Sequence, residues 1–88
     1  MPALIDVREP WEFDYCRIEG SVLIPLGQLA ARCADVPRDR PLVIVCHHGN
    51  RSWHAAAMLL QSGFVDVHNL RGGVEEWAVA VDPTMKRY

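Results

Sequence analysis

An apolar run that ends in a cysteine constrains this chain more than any other stretch. Residues 42–45 are four aliphatic side chains, a run too short for a helix and typical of a strand buried on both faces. Cys46 follows, and a turn containing Gly49 leads onward. Beyond the turn, apolar residues recur at the spacing of an amphipathic helix: Trp53, Ala56, Ala57 and Leu60. The pattern predicts a strand, a cysteine loop and a helix in immediate succession, with Gly63 ending the helix.

The position of Cys46 favours a chemical role. A helix N-terminus carries unpaired N–H groups and a partial positive charge, so it stabilises an anion such as a thiolate. Arg51 adds a permanent cation whose planar fork suits an oxyanion. The alternative is a structural cysteine that closes a core strand, because free cysteines are often buried and inert. The combination of glycine, arginine and a helix start within six residues favours the reactive interpretation.

Length and composition predict one small globular domain over residues 1–88. Half of the residues are apolar and 23% are charged, which excludes a disordered chain. A net charge of −2 with scattered basic residues gives no basis for binding nucleic acid or an anionic membrane. Three cysteines without a close pair argue against a disulfide framework, and no signal or membrane-spanning pattern is evident. We therefore expect a cytoplasmic protein.

Strand and helix patterns alternate along the chain. Strands are expected at residues 3–7, 21–24, 42–45 and 64–70. Helical segments are expected from Pro10, across residues 26–36, after Cys46 and across residues 74–81. This alternation predicts an α/β fold, with a mostly parallel buried sheet flanked by helices on both faces. Ligands bind such sheets beyond the carboxyl ends of the strands, which is where the Cys46 loop lies.

Four motifs, in order and spacing, resemble the single-domain rhodanese-like sulfurtransferase family. They are Leu4-Ile5-Asp6-Val7-Arg8-Glu9, Ile24-Pro25, Cys46-His47-His48-Gly49-Asn50-Arg51-Ser52 and Leu70-Arg71-Gly72-Gly73-Val74-Glu75-Glu76-Trp77. The match covers nearly the whole chain, and the six residues from Cys46 to Arg51 are its most specific part. The chain departs from the family in two ways. We expect the family's usual N-terminal strand and helix to be missing from residues 1–88, and Cys16-Arg17-Ile18 stands where the family often has Gly-His-Ile.

The resemblance implies a reaction through a Cys46 persulfide that needs no cofactor. Cys46 takes a sulfane sulfur from a small-molecule donor such as thiosulfate and passes it to cyanide, to a thiol or to a protein acceptor. Arg51 is the second residue expected to be catalytic. It either binds the donor's oxyanion or, as we favour, holds loop carbonyls so that the N–H groups point inward. The residues expected to bind substrate are His47, His48, Gly49, Asn50 and Ser52.

Several of these residues also have structural interpretations. The rings of His47 and His48 either bind an anionic donor or simply face solvent. A zinc site from Cys46, His47, His48 and His54 is disfavoured, because adjacent ligands on one tight loop rarely complete a tetrahedron. Asp6 and Arg8 are expected to form a buried pair or to bond the neighbouring loop. The other two cysteines and the three tryptophans are expected to pack: Cys16, Cys33, Trp11, Trp53 and Trp77.

Two other functions remain as alternatives. Related cell-cycle phosphatases resemble this fold, but their loop has one more residue between cysteine and arginine, which gives room for a phosphate. The four residues between Cys46 and Arg51 disfavour that reaction. The second alternative is a non-catalytic binding module, the role that the resemblance implies for rhodanese-like domains without the cysteine.

Overall fold

Four short parallel strands form a single sheet in the computed structural model, which describes residues 2–88. The strands are β1 (Ala3–Asp6), β2 (Val22–Leu23), β3 (Leu42–Val45) and β4 (Val67–Asn69). The helices are α1 (Pro10–Tyr15), α2 (Asn50–Gln61) and α3 (Gly73–Ala80). The order across the sheet is β2-β1-β3-β4, and every neighbouring pair is parallel.

Both faces of the sheet are covered by apolar clusters. Alternate residues of each strand point to opposite sides, so β1 and β3 contribute side chains to both clusters. On one side Ile5 and Ile44 pack with Leu59 of α2. On the other side Leu4 and Val43 pack with α3 and with the segment after α1. This arrangement confirms the predicted α/β fold with a parallel sheet between two helical layers.

The strand order brings the predicted site to one edge. The chain leaves β1 to pair with β2 on one side, and β3 then pairs with β1 on the other side. Asp6 is in register with Val45, so the residues that follow β1 and β3 emerge next to each other. Parallel sheets bind ligands at such a switch point, beyond the carboxyl ends of the strands.

The helix predicted across residues 26–36 is wrong. The structure has two separate 3₁₀ turns there, Leu26–Gln28 and Cys33–Asp35. Gly27 weakens helix propensity, and the segment has only two buried apolar anchors, Leu29 and Val36. So short a stripe does not offset the cost of forming a continuous helix.

The apolar face predicted for α2 is displaced by one residue. Trp53 and Leu60 are 61% and 51% exposed, whereas Ser52 and Leu59 are buried. The small side chains of Ser52, Ala55 and Ala56 are buried on the side of α2 that faces the sheet, so they allow the helix to lie close to it. Trp11 is likewise 63% exposed, so the prediction that it packs in the core is also wrong.

The predictions that Trp77, Cys16 and Cys33 pack against apolar residues agree with the structure, whereas the fourth strand was predicted too long. Trp77 is partly buried against the apolar residues on the face of the sheet that α3 covers. Cys16 and Cys33 pack against apolar clusters, as predicted. The fourth strand is shorter than residues 64–70, because Val65 is 88% exposed and lies before β4.

Candidate active site

The predicted loop turns sharply between β3 and α2. Gly49 has φ +107°, a left-handed conformation that strains any other residue, and it is the residue before the first turn of α2. A Cβ at this position would also lie 3.3 Å from the backbone nitrogen of Gly72. Glycine is therefore required here both by the backbone conformation and by the close approach of the α3 loop.

The sulfur of Cys46 lies inside this turn and is held by backbone donors. The N–H of Gly49 donates to Cys46 Sγ at 3.0 Å, and the N–H of Ser52 donates at 3.3 Å. The Ser52 hydroxyl is also 3.3 Å from the sulfur. Cys46 is 1% exposed. Two backbone N–H dipoles at a helix start therefore point at this sulfur.

The carbonyl groups of the loop are turned away from the sulfur by neighbouring elements. The Cys46 carbonyl accepts from the N–H of Val74 at 2.8 Å, and the His47 carbonyl accepts from the N–H of Glu75 at 3.1 Å. The side-chain amide of Asn69 donates to the Gly49 carbonyl at 3.2 Å. The start of α3 and the end of β4 therefore orient the loop so that its N–H groups face inward.

Arg51 does not perform this task, so the interpretation that it holds loop carbonyls is wrong. Its two terminal nitrogens instead donate to the two carboxylate oxygens of Glu12, at 2.6 and 2.8 Å. Glu12 is 3% exposed, and the paired Arg51 side chain lowers its pKa to about 2. This bidentate ion pair ties the start of α2 to α1.

Sequence reasoning missed Glu12, although a signal for it exists. Pro10 marks the first turn of α1, and Glu12 stands three residues after Glu9. The Glu12 carboxylate accepts from the backbone N–H of Glu9 at 2.9 Å, as in a capping box. That spacing could have identified Glu12 as buried at the start of a helix, but not its partner 39 residues away.

Asp6 and Arg8 form the buried pair that was predicted. Both side chains are fully buried, and a terminal nitrogen of Arg8 donates to Asp6 at 2.7 Å. The same nitrogen donates to the carbonyl of Cys16 at 2.6 Å. The pair thereby holds the segment after β1 against the segment after α1.

The two histidines occupy different surroundings. His47 is partly buried, and its ring stacks on Tyr88 with the ring centres 3.8 Å apart. Burial, assisted by His48, lowers the pKa of His47, which favours the neutral ring. His48 and Asn50 are exposed at the rim of the loop. Of the residues predicted to bind substrate, only Gly49 and Ser52 contact the sulfur within the described chain.

Asn69 and Tyr88 are also parts of the site that the sequence did not reveal. Asn69 accepts a hydrogen bond from the Ser52 hydroxyl in addition to donating to Gly49. Its position at the end of a strand, on the same edge as Cys46, is the signal that could have identified it. Tyr88 offered none, because it follows the last predicted helix at a distance.

Over residues 2–88, no helix is long and apolar enough to cross a membrane.

Comparisons with known proteins show which family and which solved fold the chain is similar to. A family model described as Rhodanese-like domain matches residues 1–80. Thiosulfate sulfurtransferase GlpE of Pseudomonas aeruginosa is 45% identical over 74 residues, which cover 84% of this chain and 67% of GlpE. The probable adenylyltransferase/sulfurtransferase MoeZ of Mycobacterium tuberculosis is 41% identical over 88 residues, which cover 98% of this chain. The match spans only 22% of MoeZ.

A solved structure shares the fold. The crystal structure of a rhodanese-related protein from Thermoplasma volcanium superimposes with a TM-score of 0.85 at 32% identity. The superposition covers 91% of this chain and 79% of that protein.

Proposed function

Because the chain belongs to the rhodanese-like domain family, we propose that it is a sulfurtransferase that acts through a persulfide on Cys46. The observation that carries the proposal is the pair of N–H groups, from Gly49 and Ser52, directed at the Cys46 sulfur. The name of the relative GlpE supports thiosulfate as a donor. We propose that residues 1–88 act as one domain in this reaction.

The first half-reaction loads the sulfur. The Cys46 thiolate attacks the sulfane sulfur of thiosulfate, a new S–S bond forms, and sulfite leaves with the electron pair of the broken S–S bond. The N–H groups of Gly49 and Ser52 stabilise the negative charge that remains on the persulfide. The thiol proton is lost to solvent before the attack.

The second half-reaction unloads it. Cyanide or a thiolate attacks the outer sulfur, the S–S bond breaks, and Cys46 returns as the thiolate. With cyanide the product is thiocyanate, and with a thiol acceptor it is a new persulfide. The name of MoeZ, a probable adenylyltransferase/sulfurtransferase, supports including a protein acceptor among the candidates.

The other residues of the loop are assigned by their surroundings. Arg51 positions the start of α2 through Glu12, and Asp6 with Arg8 supports the loop from behind. The exposed side chains of His48 and Asn50, with the ring of His47, line the rim that a donor must pass.

The proposal is tested by following the sulfur. The purified protein is incubated with thiosulfate and its intact mass is measured before and after addition of cyanide. We expect a gain of one sulfur atom, its removal by cyanide and the release of thiocyanate. Cys46→Ala should abolish all three, whereas the matched control Cys33→Ala, which removes a half-buried thiol outside the site, should retain them.

Each alternative has its own outcome in the same experiment. A sulfur that persists in Cys46→Ala would show that the carrier is another thiol. Failure of the unmodified protein to gain sulfur would favour a binding module. Release of phosphate from an aryl phosphate by the unmodified protein, without persulfide formation, would favour a phosphatase.

A further inference from the structure

Tyr88 lies between the two ion pairs next to the site, and its side chain contacts both of them. Its hydroxyl accepts a hydrogen bond from Arg8 at 2.9 Å and donates one to Glu12 at 2.7 Å. Burial raises the pKa of Tyr88 to about 12, so the hydroxyl is protonated and able to donate at neutral pH. Since Glu12 holds Arg51, a single phenol bridges the buried Asp6–Arg8 pair and the ion pair at the start of α2.

The ring of Tyr88 makes a second connection, to the residue directly after Cys46. The rings of Tyr88 and His47 are nearly parallel, with 14° between their planes and 3.8 Å between their centres. His47 Nε2 is buried and, within residues 2–88, has no hydrogen-bond partner. Stacking on Tyr88 and contact with the tilted ring of His48, rather than a hydrogen bond at Nε2, therefore fix that end of the His47 ring.

The segment that carries Tyr88 is held along its length. Met85 packs against the apolar cluster under α3. Arg87 forms an ion pair with Glu75, with distances of 2.5 and 3.2 Å. The N–H of Glu75 in turn donates to the His47 carbonyl. His47 is thus fixed from two sides, through its ring by Tyr88 and through its backbone by α3.

We propose that Tyr88 is a positioning residue for the persulfide loop, its ring setting the orientation of His47 and its hydroxyl setting that of the Glu12–Arg51 pair. The proposal rests on the proposed sulfurtransferase function. It assigns to Tyr88 no contact with the reacting sulfur. Its effect is on the shape of the loop and rim through which the donor reaches Cys46.

The surroundings of Tyr88 favour a fixed part over a lid that opens. Departure of the phenol would leave a nitrogen of Arg8 with only long contacts, 3.4 Å to the Glu12 carbonyl and 3.7 Å to the Cys16 sulfur. It would also expose Arg8 and Glu12 to water, although they are now 0% and 3% exposed. A fixed part and a lid predict opposite signs: loss of the side chain slows the reaction in the first case and speeds it in the second.

The test compares Tyr88→Leu, which removes ring and hydroxyl, with Tyr88→Phe, which removes the hydroxyl alone. Tyr15→Phe is the control, because Tyr15 touches Tyr88 edge-on and its hydroxyl has no hydrogen-bond partner in the described chain. Two measurements are made on each variant of the 88-residue chain: the NMR signals of the His47 ring protons and the steady-state kinetics of thiosulfate:cyanide sulfurtransfer.

We expect Tyr88→Leu to shift the His47 ring protons downfield, because they lose the shielding of a stacked aromatic ring. Its kcat/KM should fall about tenfold, as small displacements of a reacting site cost large factors in rate. Tyr88→Phe should keep the His47 signals, because the ring stays, and lose roughly threefold in kcat/KM, because the two hydrogen bonds of the hydroxyl to Arg8 and Glu12 are removed. Tyr15→Phe should match the unmodified protein in both.

The outcomes separate this proposal from the proposed function. Unchanged His47 signals in Tyr88→Leu would overturn it, as would unchanged or faster sulfurtransfer in that variant. If Tyr88→Leu does not fold, Tyr88→Phe decides alone, because an unchanged kcat/KM there would remove the hydroxyl's role. If the unmodified protein forms no persulfide, the sulfurtransferase function fails, and the position of the His47 signals still tests the contact.

Discussion

Among single side chains, Asn69 has the most direct influence on the sulfur without touching it. Its amide nitrogen donates to the Gly49 carbonyl, and its amide oxygen accepts from the Ser52 hydroxyl. Gly49 and Ser52 are the two residues whose N–H groups donate to Cys46. Asn69 therefore fixes both donors of the sulfur from the end of β4.

Asn69→Leu tests this arrangement by removing both hydrogen bonds while keeping a side chain of similar size. The Gly49 carbonyl keeps the N–H of Trp53 as a partner, and the Ser52 hydroxyl stays next to the Cys46 sulfur. Each lost hydrogen bond should therefore cost about 0.5–1.5 kcal/mol of unfolding free energy. Sulfurtransfer should fall by at least about tenfold, because the N–H groups lose their alignment. Urea unfolding and the rate of persulfide formation measure the two effects.

His68→Ala is the control for that experiment, since His68 is the preceding residue of the same strand. Its side chain is exposed and pairs with Asp66 at the surface. It should alter stability by less than about 0.5 kcal/mol and leave the rate of persulfide formation unchanged. If Asn69→Leu behaves like His68→Ala, the amide is not needed to hold the loop.

At the scale of elements, the start of α3 is the part that shapes the loop. Gly73 has φ +59° and lies so close to the loop that a Cβ would overlap the carbonyl oxygens of Cys46 and His47. The next two N–H groups of α3 donate to those same oxygens. The glycine therefore permits the approach, and the helix start uses it to turn the carbonyls away from the sulfur.

Gly73→Ala should consequently damage both stability and activity. Overlap with a fixed backbone and an unfavourable φ together should cost roughly 2–4 kcal/mol, and the loop must move to relieve them. The control is Gly27→Ala, because no atom lies within 4 Å of a Cβ there and its φ is not in the left-handed region. That control should change the unfolding free energy by less than about 0.5 kcal/mol. Equal midpoints in urea for the two variants would contradict the packing of α3 against the loop.

The sequence was sufficient to predict the sheet and the position of Cys46 at its edge but not the rotation of the helices. Residues 42–45 are uniformly aliphatic, which is the pattern expected of a strand whose two faces are both covered by helices. Around α2 the apolar residues are spread widely enough to allow two faces, so Trp53 could be assigned to the core when Ser52 occupies it. Which face is buried depends on how closely the helix start approaches Cys46, a tertiary contact.

The partners of the site residues were equally beyond the sequence. Arg51 was identified from its spacing to Cys46, but Glu12 and Tyr88 lie 39 and 37 residues away from it along the chain. Local patterns report local geometry, whereas an ion pair between α1 and α2 depends on how the two helices are placed by the sheet. The interpretation that Arg51 holds loop carbonyls failed for this reason.

For the whole molecule, a network of ion pairs and hydrogen bonds joins the start, middle and end of the described chain. Asp6 pairs with Arg8, Arg8 donates to Tyr88, Tyr88 donates to Glu12, and Glu12 pairs with Arg51. Its three fully or nearly fully buried charged residues are Asp6, Arg8 and Glu12. A buried charge is stable only while its partner remains in place, so removing one charge of this network should destabilise its other members.

This network should make the stability of the protein sensitive to acid through Glu12. Its pKa is lowered from 4.5 to about 2 by Arg51, so its contribution is fully present above about pH 4.5 and is lost as the pH falls towards 2. Glu12→Gln should therefore be less stable than the unmodified protein at pH 7, and the difference should shrink steadily between pH 4.5 and 2. Urea unfolding at a series of pH values measures it, with Glu19→Gln, an exposed carboxylate outside the network, as the control for loss of one charge. A difference that stays constant over that range would mean that the Glu12–Arg51 pair does not couple protonation to folding.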